Sequence, residues 1–209
     1  MGGCGRLPRP IRRAPPDVAD AGRVIAGTAR GIRLEAPGPG TRPLADRVKQ
    51  TLFAILEPDL AGARVLDLIA GSGAAGIEAL SRGAASATFV EHDAAAARVI
   101  AANLGRTRLG GPNAVVVRED ALRWLGRRGG GANAAEPFDV VIVDPPYDRH
   151  ELLQQALEAA GSILVPGGRA VAKHFWRDAP PARIGLLASE RDRRFGETAL
   201  TFYRRQEDR

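Results

Sequence analysis

The chain reads as an α/β protein: a Rossmann-like, doubly wound, mostly parallel seven-stranded sheet with an antiparallel C-terminal hairpin, preceded by an N-terminal β-hairpin and a helix. Three observations predict this. From Ala63 onward strand and helix patterns alternate, the order that builds a parallel sheet with helices on both faces. The first of these strands runs into Gly71, Gly73 and Gly76, the G-x-G-x-x-G spacing of a strand–turn–helix ligand loop. Phe138–Val143 (FDVVIV) is the apolar run expected of a central strand buried on both faces.

The elements follow in order. Residues 1–22 are rich in Gly, Pro and Arg without apolar periodicity, and read as a disordered tail or an over-extended start. Residues 23–209 read as one domain, with 23–60 its hairpin and helix and 61–209 its Rossmann-like core. Arg23–Glu35 suggests two short strands around a Gly-containing turn. Pro37–Gly40 breaks the chain. Asp46–Leu56 carries Val48, Leu52, Phe53, Ile55 and Leu56 at helical spacing, and Pro58 stops it. Arg64–Leu68, Ala87–Glu91, Ala114–Arg118, Phe138–Val143 and Arg169–Lys173 read as strands. Helices are expected at Ala74–Arg82, Ala94–Leu104, Ala121–Leu125 and Leu152–Ala160. Arg127–Pro137 is a Gly-rich excursion that reads as a mobile loop. Two last strands are expected near Ile184–Glu190 and Thr198–Arg204, forming the closing hairpin.

Composition narrows the chemistry. The 209 residues include one cysteine, Cys4, which rules out an internal disulfide framework and a cysteine-based zinc cluster. His92, His150 and His174 are scattered, and no metal site is suggested. No run approaches the length of a membrane helix and no secretory h-region follows the first arginines, so a cytoplasmic setting is expected. The net charge is +6, and all but two of the 30 basic residues are arginine, the exceptions being Lys49 and Lys173. That excess fits an anionic partner or simply a solvated basic surface.

The glycine loop can be read more closely. Asp67 ends the first strand just before it. A carboxylate there repels a pyrophosphate but suits a ligand carrying an ammonium group. Glu91 ends the next strand, where a carboxylate accepts ribose hydroxyls. Together they fit S-adenosylmethionine, held by Asp67, Ala70, Gly71, Ser72, Gly73 and Glu91. Asp120 and the Ala121 N–H, after the third strand, are candidates for its adenine, with a helix N-cap as the other reading of Asp120. The same features disfavour an NAD-dependent oxidoreductase.

The fourth strand ends in Asp144-Pro145-Pro146-Tyr147. Ligands of doubly wound sheets bind beyond such carboxyl ends. The tetrapeptide resembles the (Asp/Asn)-Pro-Pro-(Tyr/Phe) signature of methyltransferases that act on exocyclic amino groups of bases. In that chemistry Asp144 and the Pro145 carbonyl each accept an N–H, Pro146 stiffens the turn, and Tyr147 stacks on the base. The base enters unpaired or flipped. Methylation of a pyrimidine carbon needs a cysteine nucleophile, a role Cys4 in the tail does not suit.

Further motifs carry a more specific resemblance. They are Arg23–Gly27 (RVIAG), Thr41-Arg42-Pro43 with Asp46-Arg47-Val48 and Leu52-Phe53, the glycine loop, Gly76–Ala84 (GIEALSRGA), Phe89–Glu91 and Asp144–Tyr147. On these, nearly everything after residue 22 is similar to the bacterial small-subunit ribosomal RNA guanine-N2 methyltransferase family. The resemblance implies a cytoplasmic enzyme that uses S-adenosylmethionine on one guanine of the assembling small subunit, its RNA free or in a particle, and a monomer is expected. Departures are Ile69 where the family usually has an aromatic residue, Ala75 for Leu and Ala54 for Asn. Arg30, Arg33, Arg42 and Arg47 are candidates for RNA phosphates near the pocket, with ion pairs to Asp46 or Glu57 the alternative for the last two. Arg191, Arg193 and Arg194 form a further candidate set. Two other readings stay open: a DNA adenine-N6 methyltransferase, disfavoured by the lack of a large insertion, and a non-catalytic RNA-binding assembly factor.

Overall fold

A computed structural model describes residues 20–38, 44–128 and 136–207. Strands β1 (Asp20–Arg23) and β2 (Arg33–Glu35) form a separate antiparallel pair. Helix α1 (Asp46–Leu56) follows, then β3 (Arg64–Leu68), α2 (Ala74–Ser81), β4 (Ser86–Glu91), α3 (Ala94–Thr107), β5 (Ala114–Arg118), α4 (Ala121–Arg128) and β6 (Phe138–Val143). Helix α5 (His150–Ile163) leads into β7 (Leu164–Phe175), β8 (Arg183–Ile184), β9 (Leu187–Phe195) and β10 (Thr198–Arg205). The main sheet has the order β5-β4-β3-β6-β7-β10-β9-β8. Its first five strands are parallel, and β10 is antiparallel to both β7 and β9.

Alternation along the central strands sorts the core into layers. Leu66, Leu68, Val141 and Val143 face α4 and α5. Val65, Val140 and Ile142 face α1 and the small residues of α2. The hairpin packs with α2, α3 and β4 through Val24, Leu34, Ile77, Phe89 and Ile100.

Three expectations need correction. Strand β1 takes Asp20–Gly22, which composition alone assigns to the tail. The sheet has eight strands rather than seven, because Gly185 at φ 53° turns the chain between β8 and β9. Strand β9 then continues through Arg191–Arg194, a charge run without alternation that hides an exposed strand. Strand β7 is longer than expected, starting at Leu164 and rejoining β6 after an irregularity, with Val140 opposite Arg169. Residues 129–135 of the Gly-rich excursion lie outside the described residues.

The hairpin is locked to the core by side chains of α2. Glu78 is fully buried, and its two oxygens accept from the backbone N–H groups of Ile25 (2.7 Å) and Ala26 (3.0 Å). Arg82 supplies the opposing charge at 2.8 Å. The Ser81 hydroxyl donates to the Ala26 carbonyl and accepts from the Ala29 N–H. Gly27 lies so close that a Cβ would sit 1.7 Å from the Ser81 carbonyl oxygen, at a φ of +82°. Only glycine fits there. On the other side, the buried Lys49 ammonium donates to the Arg23 carbonyl and lies 3.7 Å from Asp46. Among the described residues, no helix is long and apolar enough to cross a membrane.

Glu78→Ala strands two backbone donors and leaves the Arg82 guanidinium only the exposed Glu57. It is expected to cost about 3–5 kcal/mol in urea unfolding. Glu57→Ala, which removes the exposed partner of the same arginine, is expected to cost less than about 1 kcal/mol. Equal losses would contradict the lock.

Candidate active site

The parallel sheet brings the ends of β3, β4, β5 and β6 to one edge, and the candidate residues gather there. Asp67 is nearly fully buried, and its Oδ2 accepts from the Gly76 N–H at 2.8 Å. It thereby caps α2 from the strand, since Gly73 at the N-cap brings no side chain. The loop reaches this position through left-handed backbone at Ile69 (φ 66°), Gly71 and Gly73. A β-branched residue there stores about 1–3 kcal/mol. The N–H groups of Ile69 and Ala70 both donate to the Val90 carbonyl, at 2.9 and 3.0 Å, and hold the strain. Gly76 serves packing: a Cβ on it would lie 2.3 Å from the Phe89 ring. The Ser72 carbonyl accepts from Asn103 at 3.0 Å.

Glu91 closes the other side of the loop. Its Oε2 accepts from the Gly71 N–H (2.8 Å) and its Oε1 from the Asp93 N–H (2.9 Å). Each carboxylate oxygen has a second lone pair for a ligand hydroxyl. Burial pushes the Asp67 carboxyl up to about 7, opposed by the Gly76 N–H and reinforced by the charges of Asp144 and Glu91. Three carboxylates thus converge on one loop, and among the described residues no cation pairs with Asp67. A ligand carrying positive charge fits this donor set, which is the test S-adenosylmethionine must meet.

Beyond β6, Asp144 forms an ion pair with Lys173. The register explains it: Val143 lies opposite Ala172, so the next residue of each strand meets across the ladder. The Lys173 ammonium is also 5.4 Å from the centre of the Tyr147 ring. The Tyr147 and Thr198 hydroxyls share a hydrogen bond at 2.5 Å. Among the described residues, no donor takes the carbonyl of the buried Pro145, whereas the Pro146 carbonyl accepts from the Arg149 N–H. A cleft of about 120 Å³ opens here between Leu44, Ala45 and Val48 at the start of α1 and Tyr147, Lys173, Glu197 and Thr198.

Other candidates fall elsewhere. Asp120 is exposed and caps α4 through the Arg123 N–H, the alternative reading of that residue. Ala121 is buried beside it, near Glu91, whose carbonyl accepts from Glu119. Arg30 lies in the hairpin turn beside Ser81, at the far end of α2 from the loop, so it is not brought to the pocket. Arg33 pairs with Asp20 at 2.7 Å. Arg42, with Thr41 and Pro43, lies outside the described residues. Arg47 is exposed in the first turn of α1, next to Val48 of the cleft. Sequence reasoning missed Lys173. Its signal was its scarcity: both lysines of an arginine-rich chain are buried or nearly so, and each reaches an acid.

An acid whose pKa is raised by folding stabilises the fold only while protonated, so stability falls as pH rises from the ordinary value of 3.8 through about 7. Asp67→Asn keeps the Gly76 acceptor and removes that penalty. Its melting temperature relative to wild type should rise between about pH 5 and pH 8 while its affinity for S-adenosylmethionine falls. Parallel melting curves would contradict the assignment.

Comparison with known proteins agrees with this geometry. The family model described as "Conserved hypothetical protein 95" matches residues 22–204. The Ribosomal RNA small subunit methyltransferase D of Escherichia coli (strain K12) is 43% identical over 136 residues, 65% of this chain and 64% of that relative. The match thus spans just under two thirds of that relative's length. The Putative rRNA methyltransferase YlbH of Bacillus subtilis is 36% identical over 186 residues, 88% of this chain and 99% of the relative. The solved structure of the putative methyltransferase yhhF from Escherichia coli superposes with a TM-score of 0.73 at 35% identity, covering 89% of this chain and 98% of that one. The chain belongs to the family described as Conserved hypothetical protein 95.

Proposed function

We propose that the protein transfers a methyl group from S-adenosylmethionine to the exocyclic N2 of a guanine in small-subunit ribosomal RNA, as a monomer in the cytoplasm. The observation that carries this reading is the placement of Asp144–Tyr147 beside the loop where Asp67 and Glu91 converge. The name of the Escherichia coli relative specifies ribosomal RNA of the small subunit, that of the Bacillus subtilis relative specifies rRNA, and both support the substrate class.

The residues account for the chemistry as follows. S-adenosylmethionine supplies an electrophilic methyl group when bound. Asp67 would hold its ammonium group and Glu91 its ribose, with the loop from Ala70 to Gly73 lying between them. The amino nitrogen of a base is conjugated with the ring and is a poor nucleophile. Asp144 and the Pro145 carbonyl each accept one of its hydrogens, which draws the nitrogen toward tetrahedral geometry and aims its lone pair. Lys173 fixes the Asp144 carboxylate and offsets part of its charge. Tyr147, held by Thr198, offers its face to the base. Leu44 and Val48 keep water from the cleft. Lys173 and Glu197 bring one donor and one acceptor to this cleft. With the reacting amino group held by Asp144 and Pro145, a guanine edge still offers an O6 acceptor and an N1–H donor to that pair, whereas an adenine edge offers only the N1 acceptor.

The test is transfer of a labelled methyl group to unmethylated ribosomal RNA and to small subunits, followed by mapping of the modified base. N2-methylguanosine is the expected product. Label on DNA adenine, or none on any RNA, would overturn the reading. Asp144→Ala should lower kcat at least about 100-fold, about 2.7 kcal/mol of transition-state stabilisation, while leaving cofactor affinity within about twofold. Equal loss of both would make Asp144 an organiser of the pocket instead.

A further inference from the structure

We propose that the rim formed by Phe175, Trp176, Arg177 and Arg194 binds unpaired RNA, the base of a nucleotide flanking the methylated one stacking on Trp176. This rests on the reading of Asp144–Tyr147 as an RNA-methylating site. Strand β7 ends at the same edge of the sheet as β6, and the antiparallel β9 and β10 end and begin there. The rim therefore borders the cleft rather than lying on a remote face.

A row of rings leads outward from Tyr147. Its ring centre lies 6.2 Å from that of Phe175, and Phe175 lies 6.3 Å from Trp176. The backbone of Trp176 is anchored, its N–H donating to the Glu197 carbonyl at 3.0 Å. The other tryptophan, Trp124, is buried in the core, whereas Trp176 is partly accessible. Two arginines attend it. The Arg194 guanidinium carbon is 3.5 Å from the ring centre, and its Nε donates to the Gly196 carbonyl at 2.9 Å, so Arg194 is a brace. The Arg177 guanidinium stands farther off, at 4.7 Å, and has no hydrogen bond or ion pair among the described residues. A base can displace it from the ring and leave it beside a phosphate.

The chemistry favours nucleic acid over a protein partner. Neither guanidinium is paired with a carboxylate among the described residues. The nearby Asp178 lies 3.6 Å from His150, and Asp192 accepts from the Thr201 hydroxyl. One aromatic face between unneutralised arginines offers little apolar area to a protein. It matches a single strand, where stacking tolerates any base and guanidinium groups take phosphates.

The experiment is fluorescence titration of the full chain with a short single-stranded oligoribonucleotide and with the matching duplex, with methyl transfer to ribosomal RNA assayed in parallel. Single-stranded RNA should quench tryptophan emission, and Trp176→Phe should abolish most of that change. Trp176→Ala should weaken single-strand affinity about tenfold and raise the KM for RNA, with S-adenosylmethionine affinity unchanged. Arg177→Ala should reduce the salt slope of single-strand binding by about 0.7. RNA that binds without quenching, equal quenching by the duplex, or unaltered affinity in Trp176→Ala would each overturn the proposal. If transfer to ribosomal RNA persisted in those cases, the methylation reading would stand. A wild-type chain that is quenched by RNA yet transfers no methyl group would overturn that reading, and with it the identity of the stacked nucleotide.

Discussion

A carboxylate buried at the N-terminus of a helix needs positive charge, and Asp67 meets only the partial charge of α2. One of its oxygens accepts the Gly76 N–H. Glu91 and Asp144 lie close enough to add to the cost of charging it. Lys173 answers Asp144, and among the described residues no cation pairs with Asp67. Several neighbours are fixed by this arrangement. Gly76 must be small, because α2 lies directly on Phe89. Ile69 is forced into left-handed backbone so that the chain can turn from β3 into α2 at this point. The proposed cationic ligand would thus meet a loop whose backbone is already fixed, which is how a rigid scaffold lowers the ordering cost of binding.

The N-terminal hairpin supports the same site from outside the sheet. Glu78 and Ser81 on α2 hold its backbone, and Lys49 ties it to α1. This sets the start of α1 against Tyr147, so Leu44 and Val48 form one wall of the cleft. The co-occurrence of the RVIAG and GIEALSRGA segments then has a physical cause. One supplies two backbone donors, a carbonyl and a glycine with no room for a side chain, and the other supplies the buried acid that accepts from those donors and the hydroxyl that donates to that carbonyl.

Much of the sheet was legible because its signals are local. Arg64–Leu68, Ala114–Arg118 and Phe138–Val143 begin and end where their apolar runs do. Asp67, Glu91 and Asp144 were legible because each ends a strand, and parallel strands bring their ends to one edge. The rest depended on registers and charge balances that no local pattern carries. Lys173 meets Asp144 only through the pairing of β6 with β7. Strand β9 hides in a run of arginines because an exposed edge carries no alternation. Arg30 looked close to the pocket in sequence, yet the hairpin turn points it to the other end of α2. Asp120 carried two meanings in sequence, and the cap of α4 is the one its Oδ1 takes.

In the proposed function Asp67 binds the positive charge of the methyl donor. A carboxyl with a pKa of about 7 is roughly half protonated at neutral pH. Binding of a cation against it should expel that proton. Calorimetric titration with S-adenosylmethionine at pH 7, in two buffers of different ionisation enthalpy, measures this directly. Net release of a fraction of a proton per ligand is expected, abolished in Asp67→Asn. An enthalpy independent of the buffer, with wild-type affinity in that variant, would contradict it.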